Sequence, residues 1–77
     1  MKLEDVIDMV VSERKFQVWY GESPSVGEEI LLMEEYITRA RKEWLCSVGD
    51  EEAIKEIVSV VTIGLRCLEN HIKEEKE

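Results

Sequence analysis

The chain has 77 residues, of which 44% are hydrophobic and 36% are charged, and its formal net charge is −8. A chain of this length forms one domain at most and buries only about 60–65% of its unfolded surface, so association with other chains is expected. The acidic balance repels phosphate backbones, which argues against a nucleic-acid partner. No apolar run reaches the roughly 18–20 residues of a membrane span, and no signal peptide is apparent, so we expect no membrane partner and a cytoplasmic protein.

Apolar residues at helical spacing predict a first helix over residues 3–19. Acidic residues in its first turn suit the helix dipole. The helix ends on an aromatic stretch, before a break at residues 21–25 that contains the only proline. Trp19 and Tyr20 lie at this exit, where they either stack on a nucleobase or pack in the core.

The second helix is predicted over residues 24–46. Ser23 before Pro24 suits an N-cap followed by proline at the first helical position. Ser25 with Glu28 is an alternative start, because the two residues match a capping box. One apolar stripe runs along this helix: Val26, Ile30, Met33, Ile37, Ala40 and Trp44.

The third helix is predicted over residues 50–73, with Asp50 as its N-cap and Gly49 ending the helix before it. Its main apolar stripe is Ala53, Ile54, Ile57, Val58, Val61, Leu65, Leu68 and Ile72. A second row lies beside that stripe: Val60, Ile63 and Cys67. A helix that is apolar over so wide an arc is covered on more than one side, so we expect the second row to be buried between subunits.

These elements predict an all-α fold: a single domain over residues 1–77, whose three helices assemble into a helical-bundle dimer or a higher homo-oligomer. Cys46 and Cys67 form no CxxC motif, and His71 alone provides no zinc cluster. A turn near Gly49 places the two cysteines more than about 20 Å apart. We therefore expect two small apolar residues rather than a redox pair.

Two stretches of the chain resemble a known family. The first consists of Phe16-Gln17-Val18-Trp19-Tyr20-Gly21 with Ser25-Val26-Gly27-Glu28-Glu29-Ile30, and the second runs from Gly49 to Ile57 and on through Gly64 to His71. Both are similar to small MazG-like proteins of the all-α nucleoside triphosphate pyrophosphohydrolase superfamily, many of which are phage-encoded. The resemblance covers about residues 12–72 and implies a single MazG-like helical domain.

The resemblance also implies a metal site, since active members carry ExxE on one helix and ExxD on the next. Those four carboxylates hold Mg²⁺, which engages the substrate phosphates. Here leucine stands three residues after both Glu28 and Glu29, and Ser59 stands three residues after Glu56. The three glutamates are weak metal candidates, with a solvated acidic face as the alternative. We assign no catalytic residue and expect no cofactor, Mg²⁺ being needed only if the chain is an enzyme.

Hydrogen-bond donors occupy one side of the third helix. Lys55, Ser59, Thr62 and Arg66 recur at i, i+4, i+7 and i+11, and we call them the donor stripe. A donor-lined groove can bind phosphates directly, with arginine providing the fork geometry. The alternative is a polar helix face with hydroxyls bonded to backbone carbonyls and Arg66 paired to a glutamate.

The incomplete metal motif and the resemblance together favour non-catalytic binding of a nucleotide or nucleotide-derived signal. A cyclic nucleotide is one such ligand, and a phage anti-defence sponge is the role that this binding suggests. One alternative is a metal-dependent pyrophosphohydrolase with a reduced acidic site. Another is an acidic protein-interaction inhibitor of a host protein. If the chain is phage-encoded, its compartment is the cytoplasm of the bacterial host.

Overall fold

The computed structural model describes residues 1–16, 24–46 and 49–72. Across these ranges all regular structure is helical: α1 (Leu3–Phe16), α2 (Val26–Cys46) and α3 (Glu51–His71). The prediction of three helices and no strands is confirmed for this part of the chain. Residues 17–19 and 73, which the sequence also assigns to helices, lie outside the described residues. None of the three helices is long and apolar enough to cross a membrane.

The start of α2 is a capping box. The Ser25 backbone N–H donates to the Glu28 carboxylate at 2.7 Å, and the Glu28 N–H donates to the Ser25 hydroxyl at 3.1 Å. The backbone hydrogen bond, followed by the hydroxyl contact, holds the pKa of Glu28 below its ordinary value. Because this pKa is lowered on folding, the capping contribution is present at neutral pH and is lost as pH falls through the lowered pKa.

The connection between α2 and α3 contains a left-handed residue at its glycine. Gly49 has a φ of +96°, a conformation that favours glycine. It lies three residues after the last residue of α2, and its predicted role in ending that helix involves residues 47–48, which lie outside the described residues. Asp50 occupies the predicted N-cap position, but its side chain makes no capping hydrogen bond. Its carboxylate instead accepts a hydrogen bond from the Trp44 indole N–H at 3.1 Å, which ties the end of α2 to the start of α3.

The three helices form a layer with α3 in the middle. α3 packs against both α1 and α2, while within the described residues α1 and α2 do not contact each other. An Arg14–Glu69 ion pair joins α1 to α3. A hydrogen bond of 2.8 Å between the His71 ring and the Pro24 carbonyl joins the end of α3 to the start of α2. The chain extends 49 × 29 × 20 Å, so the layer has two broad sides.

The side of α3 that turns inward differs from the predicted one. The described apolar core consists of Val10, Ala40, Ala53, Ile63 and Cys67. Ile63 is only 4% exposed, and Cys67 is buried with it as a free thiol, whereas Ile54, Ile57, Val61, Leu68 and Ile72 of the main stripe are exposed. The prediction that the second row lies between subunits is therefore wrong for Ile63 and Cys67, while its third member, Val60, is half-buried.

An ion pair explains the orientation of α3. Arg66 follows Ile63 by three residues and precedes Cys67 by one, so the three side chains share one side of the helix. A guanidinium cannot be buried without a partner, and Arg66 finds that partner on α2. Pairing Arg66 with α2 turns the side that carries Ile63 and Cys67 inward and leaves most large residues of the main stripe exposed.

Candidate functional site

The most deeply buried polar contact of the described chain joins Glu29 of α2 to Arg66 of α3. The Arg66 Nε donates to one Glu29 carboxylate oxygen at 3.1 Å, and the Arg66 Nη2 donates to the other at 2.6 Å. This is the two-pronged geometry in which guanidinium and carboxylate bind most strongly. Glu29 is completely buried and Arg66 nearly so. The pair therefore forms a neutral unit inside the α2–α3 interface.

The donor stripe does not form one open row. The Thr62 hydroxyl donates to the Val58 carbonyl at 2.7 Å, and the Ser59 hydroxyl donates to the Lys55 carbonyl at 3.4 Å. Thr62 is buried together with Arg66, and only Lys55 and the half-buried Ser59 remain accessible. These contacts match the alternative reading of the stripe as a polar helix face with Arg66 paired to a glutamate.

Lys55 and Ser59 lie in a shallow groove between α1 and α3. Met9, Glu13 and Val58 complete its lining. The Lys55 ammonium lies 3.0 Å from the Glu52 carboxylate, and that hydrogen bond raises the pKa of Lys55. The groove thus combines the Lys55 ammonium, the Glu13 carboxylate and an apolar wall formed by Met9 and Val58. Ligand binding by the two accessible members of the stripe stays a prediction, and the predicted stacking residues Trp19 and Tyr20 lie outside the described residues.

The candidate metal ligands do not meet at a site. Glu28 accepts the hydrogen bonds of the capping box, Glu29 holds Arg66, and Glu56 lies half-buried on α3. In the described ranges no group of three or more His, Cys, Asp or Glu residues could hold a metal ion. The residues present therefore do not fit the Mg²⁺ site that the family resemblance implies.

Large apolar side chains remain exposed on all three helices. Eight of them are each 46–55% exposed, and we call this set the open face: Ile7, Val26, Ile30, Ile37, Ile54, Ile57, Val61 and Leu68. Ile7 of α1 and Val61 of α3 line one groove together with Leu65. This groove connects the parts of the open face on α1 and α3. A Cβ added at Gly64 would lie 3.7 Å from the Met33 Sδ, so Met33 of α2 packs beside this part of α3.

Sequence reasoning identified only part of the two main features of this structure. An arginine between Leu65 and Cys67 was a signal that Arg66 needs a buried partner, but spacing alone does not identify Glu29 among 18 acidic residues. The open face could not be identified from the sequence, because apolar periodicity shows which residues share a helix side, not what covers that side.

No family model matches this chain, and no curated protein or solved structure proved similar to it. The resemblance to MazG-like proteins therefore stays a prediction that rests on the residues quoted for it.

Proposed function

We propose that this chain is a non-catalytic protein-interaction module that binds its partner through the open face. The observation that supports the proposal is the contrast between that face and the described core. Eight large apolar side chains remain about half exposed, whereas the core contains two alanines and a cysteine among its five apolar members. Soluble proteins that act alone rarely expose contiguous apolar patches larger than a few hundred Å².

Covering the open face is energetically favourable. Full burial of a valine, leucine or isoleucine side chain contributes about 1.5–3 kcal/mol, so completing the burial of a half-exposed one contributes roughly 1 kcal/mol. Much of that total is offset by the entropy lost on association. A helical surface loses less conformational entropy on association than a disordered segment does, because its backbone is already ordered. A rigid helical face of this kind suits another helical surface.

Two neighbouring residues of α2 provide a matched test. Ile30 belongs to the open face, whereas Leu31, 65% exposed, points about 100° away around the helix. A tagged chain isolated from cells that express it should carry a bound protein, either another copy or a different chain, in native mass spectrometry. Ile30→Asp should reduce the bound fraction at least tenfold, because it places a charge in the covered surface, while Leu31→Asp should retain it.

Circular dichroism should show the same helical content in both variants, since both positions are exposed in the single chain. An isolated chain that carries nothing would contradict the proposal, as would an Ile30→Asp variant that keeps its complex.

A second candidate function is binding of a nucleotide or nucleotide-derived signal without hydrolysis, the activity of an anti-defence sponge. The observation that favours it is the groove between α1 and α3, where a lysine and a serine hydroxyl lie beside an apolar wall. Lys55 would contact phosphate, and Met9 with Val58 would contact the base. A pyrophosphohydrolase is less well supported, because the Glu28 and Glu29 carboxylates, which would have to bind the metal, already accept hydrogen bonds from Ser25 and Arg66.

A thermal-shift screen of mono-, di- and cyclic nucleotides tests this second function. A ligand at 100 times its Kd adds about 2.7 kcal/mol to the stability of the native state and so raises the Tm. Lys55→Ala should remove that rise, and Lys42→Ala on α2 should not. Nucleoside triphosphates with Mg²⁺ or Mn²⁺ should release no pyrophosphate. Turnover that disappears in Glu56→Gln would instead support the enzyme, and the absence of any shift would contradict nucleotide binding.

A further inference from the structure

We propose that the partner of the open face is a second copy of this chain, with the two α3 helices packed antiparallel across a two-fold axis. This inference rests on the proposed function, because it names the occupant of the same surface. It also adds a register and an orientation, which can be tested separately.

The centre of the open face has the spacing of a coiled-coil seam. Along α3 the steps between successive residues alternate between three and four: Ile54, Ile57, Val61, Gly64 and Leu68. This is the a/d pattern by which one helix packs into another, and we call these five residues the α3 seam. Its four large members are exposed, so no helix of the described chain occupies the seam.

The residues that flank the seam already pack within the single chain. On one side Leu65 lines a groove with residues of α1, and on the other side Ala53 and Cys67 are buried. The seam therefore lies between the two neighbouring helices, in the middle of the layer. Its apolar flanks differ from the charged flanks of a solvent-exposed coiled coil and indicate the interior of a larger helical bundle.

The α3 seam is complementary to itself in the antiparallel direction. When Val61 of one copy lies opposite Gly64 of the second copy, Ile57 lies opposite Leu68, and each contact occurs twice across the two-fold axis. Gly64 has no side chain to obstruct Val61, and a Cβ there would contact Met33 of its own α2. The acidic first turn of α3, Glu51 and Glu52, then lies near the opposite end of the second α3, and the helix dipoles are antiparallel.

A broad side of the layer is large enough for a dimer interface. The Cα extents of the chain along it are 49 Å and 29 Å. A standard interface buries about 800 Å² per partner, which fits within those extents. A layer only 20 Å thick leaves much apolar surface exposed, and a second copy is the one partner that is always present in equal amount.

Sedimentation velocity of the purified full chain tests whether the partner is a second copy. We expect a dimer at tens of micromolar, with Val61→Asp raising the dissociation constant at least tenfold, because two carboxylates would be placed in the dry seam. Leu31→Asp, which lies off the open face, should remain dimeric. A wild-type chain that is monomeric at 100 µM would overturn the inference, as would a Val61→Asp variant with unchanged association.

Disulfide trapping tests whether the two α3 helices are antiparallel. In the proposed register the two copies of Val61 lie within one helical turn of each other, whereas the two copies of Ile54 lie about 25 Å apart. In a Cys46→Ser background, which removes the exposed native thiol, Val61→Cys should form a linked dimer on oxidation and Ile54→Cys should not. Equal linkage at both positions, as parallel helices would produce, would overturn the antiparallel arrangement.

The two proposals fail in different ways. If the purified chain is monomeric while Ile30→Asp still abolishes a complex with another protein, the second-copy inference fails and the interaction function stands. If the chain forms no complex of either kind, both fail.

Discussion

Arg66→Ala is expected to lower the free energy of unfolding by about 3–5 kcal/mol, because it leaves the Glu29 carboxylate buried without its counter-charge. Small domains have total stabilities of only about 5–15 kcal/mol, so this substitution removes a large share of the stability of the chain. Urea denaturation followed by circular dichroism measures the effect. Protein concentration must be held constant in that comparison, since any association adds to the apparent stability.

Two further variants separate the cost of an orphaned charge from the value of the pair. Replacing both partners, Glu29→Leu with Arg66→Met, should restore most of the stability that Arg66→Ala loses, because no unpaired charge remains. Arg39→Ala breaks the exposed Glu35–Arg39 pair of α2 and should cost less than about 1 kcal/mol.

The outcome for Arg66→Ala also decides the role of the donor stripe. If the variant keeps its stability but loses the affinity for a nucleotide, then Arg66 faces a ligand, as the spacing of the stripe first suggested. A large loss of stability identifies Arg66 as a structural residue and restricts any ligand site to the part of the stripe around Lys55 and Ser59.

Ile63→Ala is expected to destabilise the chain by about 2–5 kcal/mol. Ile63 is 4% exposed in the single chain, so truncation removes buried methyl groups and leaves a cavity between α2 and α3. Leu31→Ala is the matched control, because it also truncates an aliphatic side chain on a helix but at an exposed position. Its effect should stay within about 0.5 kcal/mol. Chemical denaturation of both variants at equal concentration checks the difference.

The same pair of variants distinguishes a core position from a subunit contact. If Ile63 lay between subunits, Ile63→Ala would weaken association and its stability loss would vanish on dilution to the monomer. A loss that is independent of concentration places Ile63 inside the chain. A variant as stable as wild type at every concentration would contradict the packing of α3 described above.

The positions of the helices follow from local chemistry and could be predicted. Ser25 and Glu28 form a capping box because their spacing lets each side chain reach the other's backbone N–H. Gly49 marks the connection because its φ of +96° suits a residue without a Cβ. The alternative start at Ser23 and Pro24 was equally acceptable in sequence, and the hydrogen bonds of Ser25 select between the two.

The rotation of α3 and the partner of Arg66 could not be predicted in the same way. Two adjacent rows of α3 are apolar, one through Val61 and one through Ile63, and helical periodicity assigns residues to a row without saying which row faces inward. That choice depends on the Glu29–Arg66 pair, whose members are 37 residues apart and belong to different helices. The sequence by itself thus determined three helices, their caps and an excess of apolar surface, since these depend on neighbours within a few residues. Only the tertiary structure decided which surface is core and which is open, because burying one charge beside its counter-charge orients the whole helix.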